Sequence, residues 1–260
     1  MPPILRNKNA RAPSVFTPDA LLREARRQKG LAKADVPRIC LLDPDGDLLR
    51  RLRRSGEAQL FDGWACYHTE LYTFALAGES VGIVGCAVGA PYAVLIAEEL
   101  FASSCALLIS VTSAGQILPA GEPPYFVIID RALRDEGTSY HYAAPDEFAA
   151  ADPALVALAA KAAAGAGLSV IVGPSWTTDA PFRETAAAID AARQRGVLAV
   201  EMEAAALYAF AQARAAKILC LAHVTNTMGQ AGQDFEKGEA AGTADAMAVL
   251  AAVVAALVPA

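Results

Sequence analysis

Gly196-Val197-Leu198-Ala199-Val200-Glu201-Met202-Glu203-Ala204-Ala205-Ala206-Leu207-Tyr208 is a short apolar run that passes, through two carboxylates flanking a thioether, into an alanine-rich segment. Val197 to Val200 predicts a strand covered on both faces, and the alanines after it predict a helix. Carboxylates are costly to hold at the edge of a buried sheet unless something there uses them. A vicinal diol needs a paired acceptor, and a cationic transition state needs negative charge nearby. A sugar ring presents both needs. Read alone, a Glu-x-Glu is also what two solvated acids at a helix N-terminus look like, so the surrounding chain has to decide.

Outward from this point, apolar β-type runs alternate with helical ones. Ile39–Leu42, Val81–Val84, Leu107–Val111, Tyr125–Ile129, Ser169–Val172 and Ile218–Val224 read as further strands. Helices are expected at about Tyr92–Ala102, Glu184–Arg195 and Thr243–Leu257, the last with Thr243 as N-cap. Near the N-terminus, Thr17-Pro18-Asp19 opens a helix that Gly30 stops. Continuous apolar strands between helices predict an α/β fold with a mixed, mainly parallel central sheet. Residues 1–36 read as an arm and helix ahead of a single domain over 37–260. In such folds ligands bind at the carboxyl ends of the strands, and the unusual residues gather there. They are Gly85–Pro91, Thr112–Gly115, Ser175–Asp179, Glu201–Glu203 and Thr225-Asn226.

Composition bounds the function. The 260 residues are 55% hydrophobic and 19% charged, which is globular rather than disordered. A net charge of −6 argues against nucleic acid as the main partner. Five dispersed cysteines without a CxxC predict reduced thiols in an intracellular, cytoplasmic protein. His68, His141 and His223 are too far apart in sequence to suggest zinc, and no metal is expected. Ala244–Val258 is apolar but too short to span a bilayer, so no membrane association is expected. The glycines at 82, 85 and 89 make neither GxGxxG nor a P-loop, so no dinucleotide or other cofactor is expected.

Four stretches, in order, resemble the nucleoside phosphorylase superfamily: purine nucleoside and uridine phosphorylases and the methylthioadenosine nucleosidases. They are Gly85–Pro91, Val111–Gly115, Gly173–Glu184 (GPSWTTDAPFRE) and Val200–Tyr208 (VEMEAAALY), the last followed by Val224-Thr225-Asn226. The resemblance runs from about Arg38 to the C-terminus. It implies a three-layer α/β/α sandwich, a nucleoside as substrate, cleavage of its N-glycosidic bond and a homo-oligomer. It gives Glu203 the ribose 2′- and 3′-hydroxyls and the support of an oxocarbenium ion, with Met202 against the ribose face and Glu201 ordering the sugar or nearby loops. Trp176 would stack on the base, and Thr177 would reach a base edge. Ser113 would bind phosphate or the attacking water, beside the Gly89 turn. Asn226 stands where many members have a catalytic aspartate. An amide can hydrogen-bond an oxopurine but cannot deliver a proton. His68 lies near a position that the neighbouring subunit often supplies, and His141 could touch the 5′ end of the ribose.

The sequence departs from the phosphorylases at the phosphate site. Where arginines are expected it has Asp43-Pro44-Asp45-Gly46-Asp47, Ser110 and His68. Acids in place of planar cations disfavour phosphate. One of Asp43, Asp45 and Asp47, represented here by Asp45, could instead activate water, as in the nucleosidases; DPDGD is equally a good turn sequence. Arg131, Arg134 or Arg183 could supply a relocated anion site. Water and inorganic phosphate both remain open as acceptors. A non-catalytic nucleoside- or nucleobase-binding protein on the same fold is the alternative, and a modified nucleoside is a third reading.

Overall fold

The structure, a computed structural model, describes residues 3–227 and 242–257. After a short turn at Pro3–Leu5, helix α1 (Pro18–Lys29) starts at Thr17, whose hydroxyl accepts the Ala20 amide, and ends at Gly30 in the left-handed conformation. Both ends follow the expected cap chemistry. The strands are β1 (Ile39–Asp43), β2 (Gln59–Leu60), β3 (Tyr72–Leu76), β4 (Glu79–Gly85), β5 (Leu107–Gln116), β6 (Tyr125–Asp135), β7 (Phe148–Ala150), β8 (Val170–Thr178), β9 (Ala199–Glu201) and β10 (Ile218–Thr227). The remaining helices are α2 (Asp47–Ser55), α3 (Ala90–Ala102), α4 (Pro153–Gly165), α5 (Ala186–Gln194), α6 (Ala204–Arg214) and α7 (Thr243–Leu257). Helices α2 and α4 and strands β2, β3 and β7 are additions to the sequence reading. Thr243 lies inside the first turn of α7 rather than at its cap.

The sheet is mixed, in the order β10-β6-β8-β9-β5-β1-β4-β3-β2, with β7 beside β6. Its long central registers, β5 with β10 and β6 with β8, are parallel, whereas β9 meets β5 and β10 meets β6 antiparallel. Because β10 also pairs with β5, the strands β5, β9, β8, β6 and β10 close into a ring. Along β1, β5 and β10 alternate residues feed two apolar clusters. Cys40, Leu42, Leu108 and Cys220 join α3 and α6 in one, while Leu41, Ile109, Leu219 and Leu221 join α2 and α7 in the other. Period-two alternation with apolar residues at every position is what two-sided burial requires.

Candidate functional site

The parallel strands β1, β4, β5 and β10 end on the same side, because their registers run in step: Asp43 is level with Gly85, and His223 with Ser113. The loop after β1 is folded by Asp43. Its carboxylate accepts the amides of Gly46 (3.1 Å) and Leu49 (2.9 Å), closing the turn into α2. Burial, with Asp45 and Asp47 close by, pushes Asp43 up to about 6, and those two amides oppose the rise. Asp47 is paired with Arg50. Asp45 reaches across to β5: its Oδ2 accepts both the amide (2.8 Å) and the hydroxyl (2.5 Å) of Ser113 near the end of that strand. All three acids border one small cavity. A cavity of about 20 Å³ lies here, lined by Asp43, Asp45, Thr112, Ser113, His223 and Thr243 among others. A single water needs roughly 10–15 Å³ of such volume.

Glu203 stands at the start of α6 and is 1% exposed. Its Oε1 accepts the Gly89 amide at 2.7 Å, and its Oε2 makes no hydrogen bond among the described residues. Gly89 holds φ at +95°, which favours glycine, and a Cβ there would point into open space. Burial and the charge of Glu201 push Glu203 up to about 8; Gly89 and the nearby Thr112 hydroxyl oppose the rise, and the charge of Asp45 adds to it. The register of β9 sets Val200 level with Gly115 of β5, so Glu203 follows close to the end of that strand.

Of the two parts left open for Glu201, the contacts found are those that order nearby segments. Its Oε1 accepts the hydroxyls of Ser175 (2.9 Å) and Thr177 (2.5 Å), and its Oε2 accepts the amides of Glu203 and Ala204, both at 2.7 Å. Burial raises its pKa, and these four donors oppose the rise. All four acceptor directions of Glu201 are filled by the protein, and it caps α6 instead of facing a sugar. Thr177 is fully buried, donating to Glu201 and accepting the Ala205 amide (2.9 Å), so it does not reach a base edge. Trp176 is also corrected. Because Ser175 and Thr177 face Glu201, the residue between them faces the other way. The indole is 3% exposed, packs with Ile117, Val197 and Val200, and donates to Asp135 at 3.0 Å. The aromatic side chain this segment leaves open is Phe182, in the turn Pro181–Arg183.

Met202 is half-buried between the two buried acids. Asn226 follows a bulge in β10 that sets it level with Gly115, a device that re-aims a side chain. His68 and His141 are not tied to the Glu203 cluster by any contact among the described residues. The His68 carbonyl accepts the Tyr92 hydroxyl, while His141 meets Lys8 (2.9 Å) and lines a separate cavity of about 750 Å³ beside α3. Arg134 is buried and bonded to Ser139 Oγ (2.8 Å) and the Ala144 carbonyl (2.7 Å), so it holds a turn and is not a relocated anion site. Arg131 lies over the Phe148 ring. The sequence reading missed His223, which stacks on Phe126 at 4.6 Å, and Arg50. No cluster of potential metal ligands and no helix long and apolar enough to cross a membrane occurs among the described residues.

The family model described as "Phosphorylase superfamily" matches residues 38–258. A uridine phosphorylase of Thermococcus kodakarensis is 28% identical over 239 residues, 84% of this chain and 83% of that protein. Purine nucleoside phosphorylases DeoD-type of Proteus mirabilis and Shewanella denitrificans are 30% and 29% identical over 157 residues, 60% of this chain and 66% of each relative. With the strand-end loops, the Glu203 carboxylate and a family match spanning most of the sequence in agreement, the chain belongs to the phosphorylase superfamily.

Proposed function

We propose that this protein cleaves the N-glycosidic bond of a nucleoside, with water as the favoured acceptor. The observation that carries the reading is a buried carboxylate, Glu203, with one oxygen fixed by Gly89 and the other making no hydrogen bond among the described residues, at the same sheet end as the Asp45–Ser113 pair. The open oxygen of Glu203 accepts the ribose 2′- and 3′-hydroxyls, and its charge stabilises the oxocarbenium ion. Met202 lies on the ribose face and Asn226 hydrogen-bonds the departing base. Phe182 replaces Trp176 as the aromatic that can close on the base. Asp45, with Ser113 Oγ, holds and deprotonates water next to C1′.

Water is favoured over phosphate on two counts. The cavity beside Asp45 has room for about one water, and no lysine or arginine among the described residues lines it. A carboxylate already occupies the Ser113 donors that an anion would use. The two clusters flanking the sheet support the three-layer arrangement, and the family match from residue 38 supports reading residues 1–36 as an appendage to one domain. A homo-oligomer in the cytoplasm completes the proposal. A panel of nucleosides incubated with and without phosphate tests it by release of free base. Release without phosphate supports hydrolysis, and strict phosphate dependence refutes it. Tight nucleoside binding with no turnover would establish the non-catalytic alternative.

A further inference from the structure

Arg50 belongs to the first turns of α2 and its side chain is half exposed. Its guanidinium nevertheless makes contacts on two different loops. Nη2 donates to the Asp45 carbonyl (2.8 Å) and the Asp47 carboxylate (2.5 Å), while Nη1 approaches Cys86 Sγ at 3.7 Å. Cys86 is an exposed non-glycine residue at φ +62°, directly after β4, and its amide donates to the Asp43 carbonyl at 3.0 Å. The space between these groups is closed: a Cβ added at Gly46 would meet Cys86 Sγ at 2.5 Å and Arg50 Nη1 at 2.9 Å. The neighbouring Arg51 points elsewhere, to the Thr243 carbonyl at 3.2 Å.

Two loops are therefore held by one planar cation. One loop carries Asp45, which sits on Ser113. The other runs on to Gly89, whose amide holds Glu203. We propose that Arg50 is a positioning residue, a clamp that ties the Asp45 loop to the Gly85–Pro91 turn and so fixes the spacing of Asp45 and Glu203. The catalytic part of this rests on the proposed function; the structural part does not. An exposed Arg–Asp pair contributes little to global stability, so removing Arg50 loosens these loops without unfolding the core. Lysine keeps the charge but cannot make the two-pronged contact.

Amide hydrogen exchange on the full-length wild type, Arg50→Ala and Arg50→Lys tests the clamp without requiring a substrate. In Arg50→Ala the Ser113 and Cys86 amides should exchange about tenfold faster, with core amides such as those of Leu108, Ile109, Leu219 and Leu221 unchanged; Arg50→Lys should fall between. Where wild type turns over a nucleoside, kcat of Arg50→Ala should drop about tenfold with KM within about twofold. Unchanged exchange at Ser113 and Cys86, or equally accelerated exchange throughout the core, overturns the clamp. If wild type acts on no nucleoside, the proposed function fails, and the exchange result alone decides the clamp.

Discussion

Replacing Glu203 by glutamine should stabilise this protein while removing its activity. The folded chain pushes the Glu203 carboxyl from an ordinary 4.5 to about 8, through burial and the charge of Glu201. Between those values the unfolded chain has released the proton and the folded chain still holds it. Stability therefore falls as pH rises from about 4.5 and levels off above about 8. At about 1.4 kcal/mol per pH unit the full penalty is bounded near 5 kcal/mol. Sharing of charge with Glu201 and water entry at the open Oε2 reduce this, and a gain of about 2 kcal/mol is expected for Glu203→Gln at about pH 8.5. Glutamine keeps a carbonyl oxygen for the Gly89 amide, so the variant should match wild type near pH 5. For a chain this size about 2 kcal/mol corresponds to roughly 4–8 °C in Tm. Thermal or urea unfolding at fixed protein concentration across this range reads the difference. Parallel curves for the two proteins from about pH 5 to 8.5, or a wild type that gains stability with rising pH, would refute the buried-carboxylate reasoning.

Other outcomes follow from the same geometry. The ionised form of Glu203 is the one that grips the diol, so kcat/KM should climb with pH up to about 8; a profile already flat from about pH 6 argues against that role. Glu201→Ala strips the acceptor from two amides and two hydroxyls and should cost about 3–5 kcal/mol, measured by denaturant unfolding. Trp176→Phe should lower stability by about 1–2 kcal/mol, since the Asp135 partner is lost, and leave KM for nucleoside within about twofold; a large rise in KM with unchanged stability would restore the indole to the base site. Asp45→Asn should reduce kcat by at least about a hundredfold with little change in the melting curve.

Much of this molecule was legible before any coordinates. The two-sided apolar strands gave the α/β sheet, and Thr17, Pro18 and Gly30 marked both ends of α1. Of the strand-end loops, Gly89 meets Glu203, and Ser113 meets Asp45. Helix α2 was hidden because DPDGD reads as a turn, although Leu48, Leu49 and Leu52 give the helix that follows it an apolar face. The role given to Trp176 failed for a reason present in the sequence: alternation along β8 sends it away from its neighbours Ser175 and Thr177. Glu201 and Glu203 look alike in sequence. The donors around each separate them: four meet Glu201, and the Gly89 amide meets Glu203. Arg50 and His223 carried no sequence signal. One acts through a main-chain carbonyl and a distant thiol, and the other lies within an apolar strand.

The most direct measurement is the mass of the sugar released when purified protein is given a nucleoside in buffer containing excess phosphate. Free pentose is expected, because Asp45 holds the Ser113 donors and leaves room for about one water. Pentose 1-phosphate as the sole sugar product would contradict it.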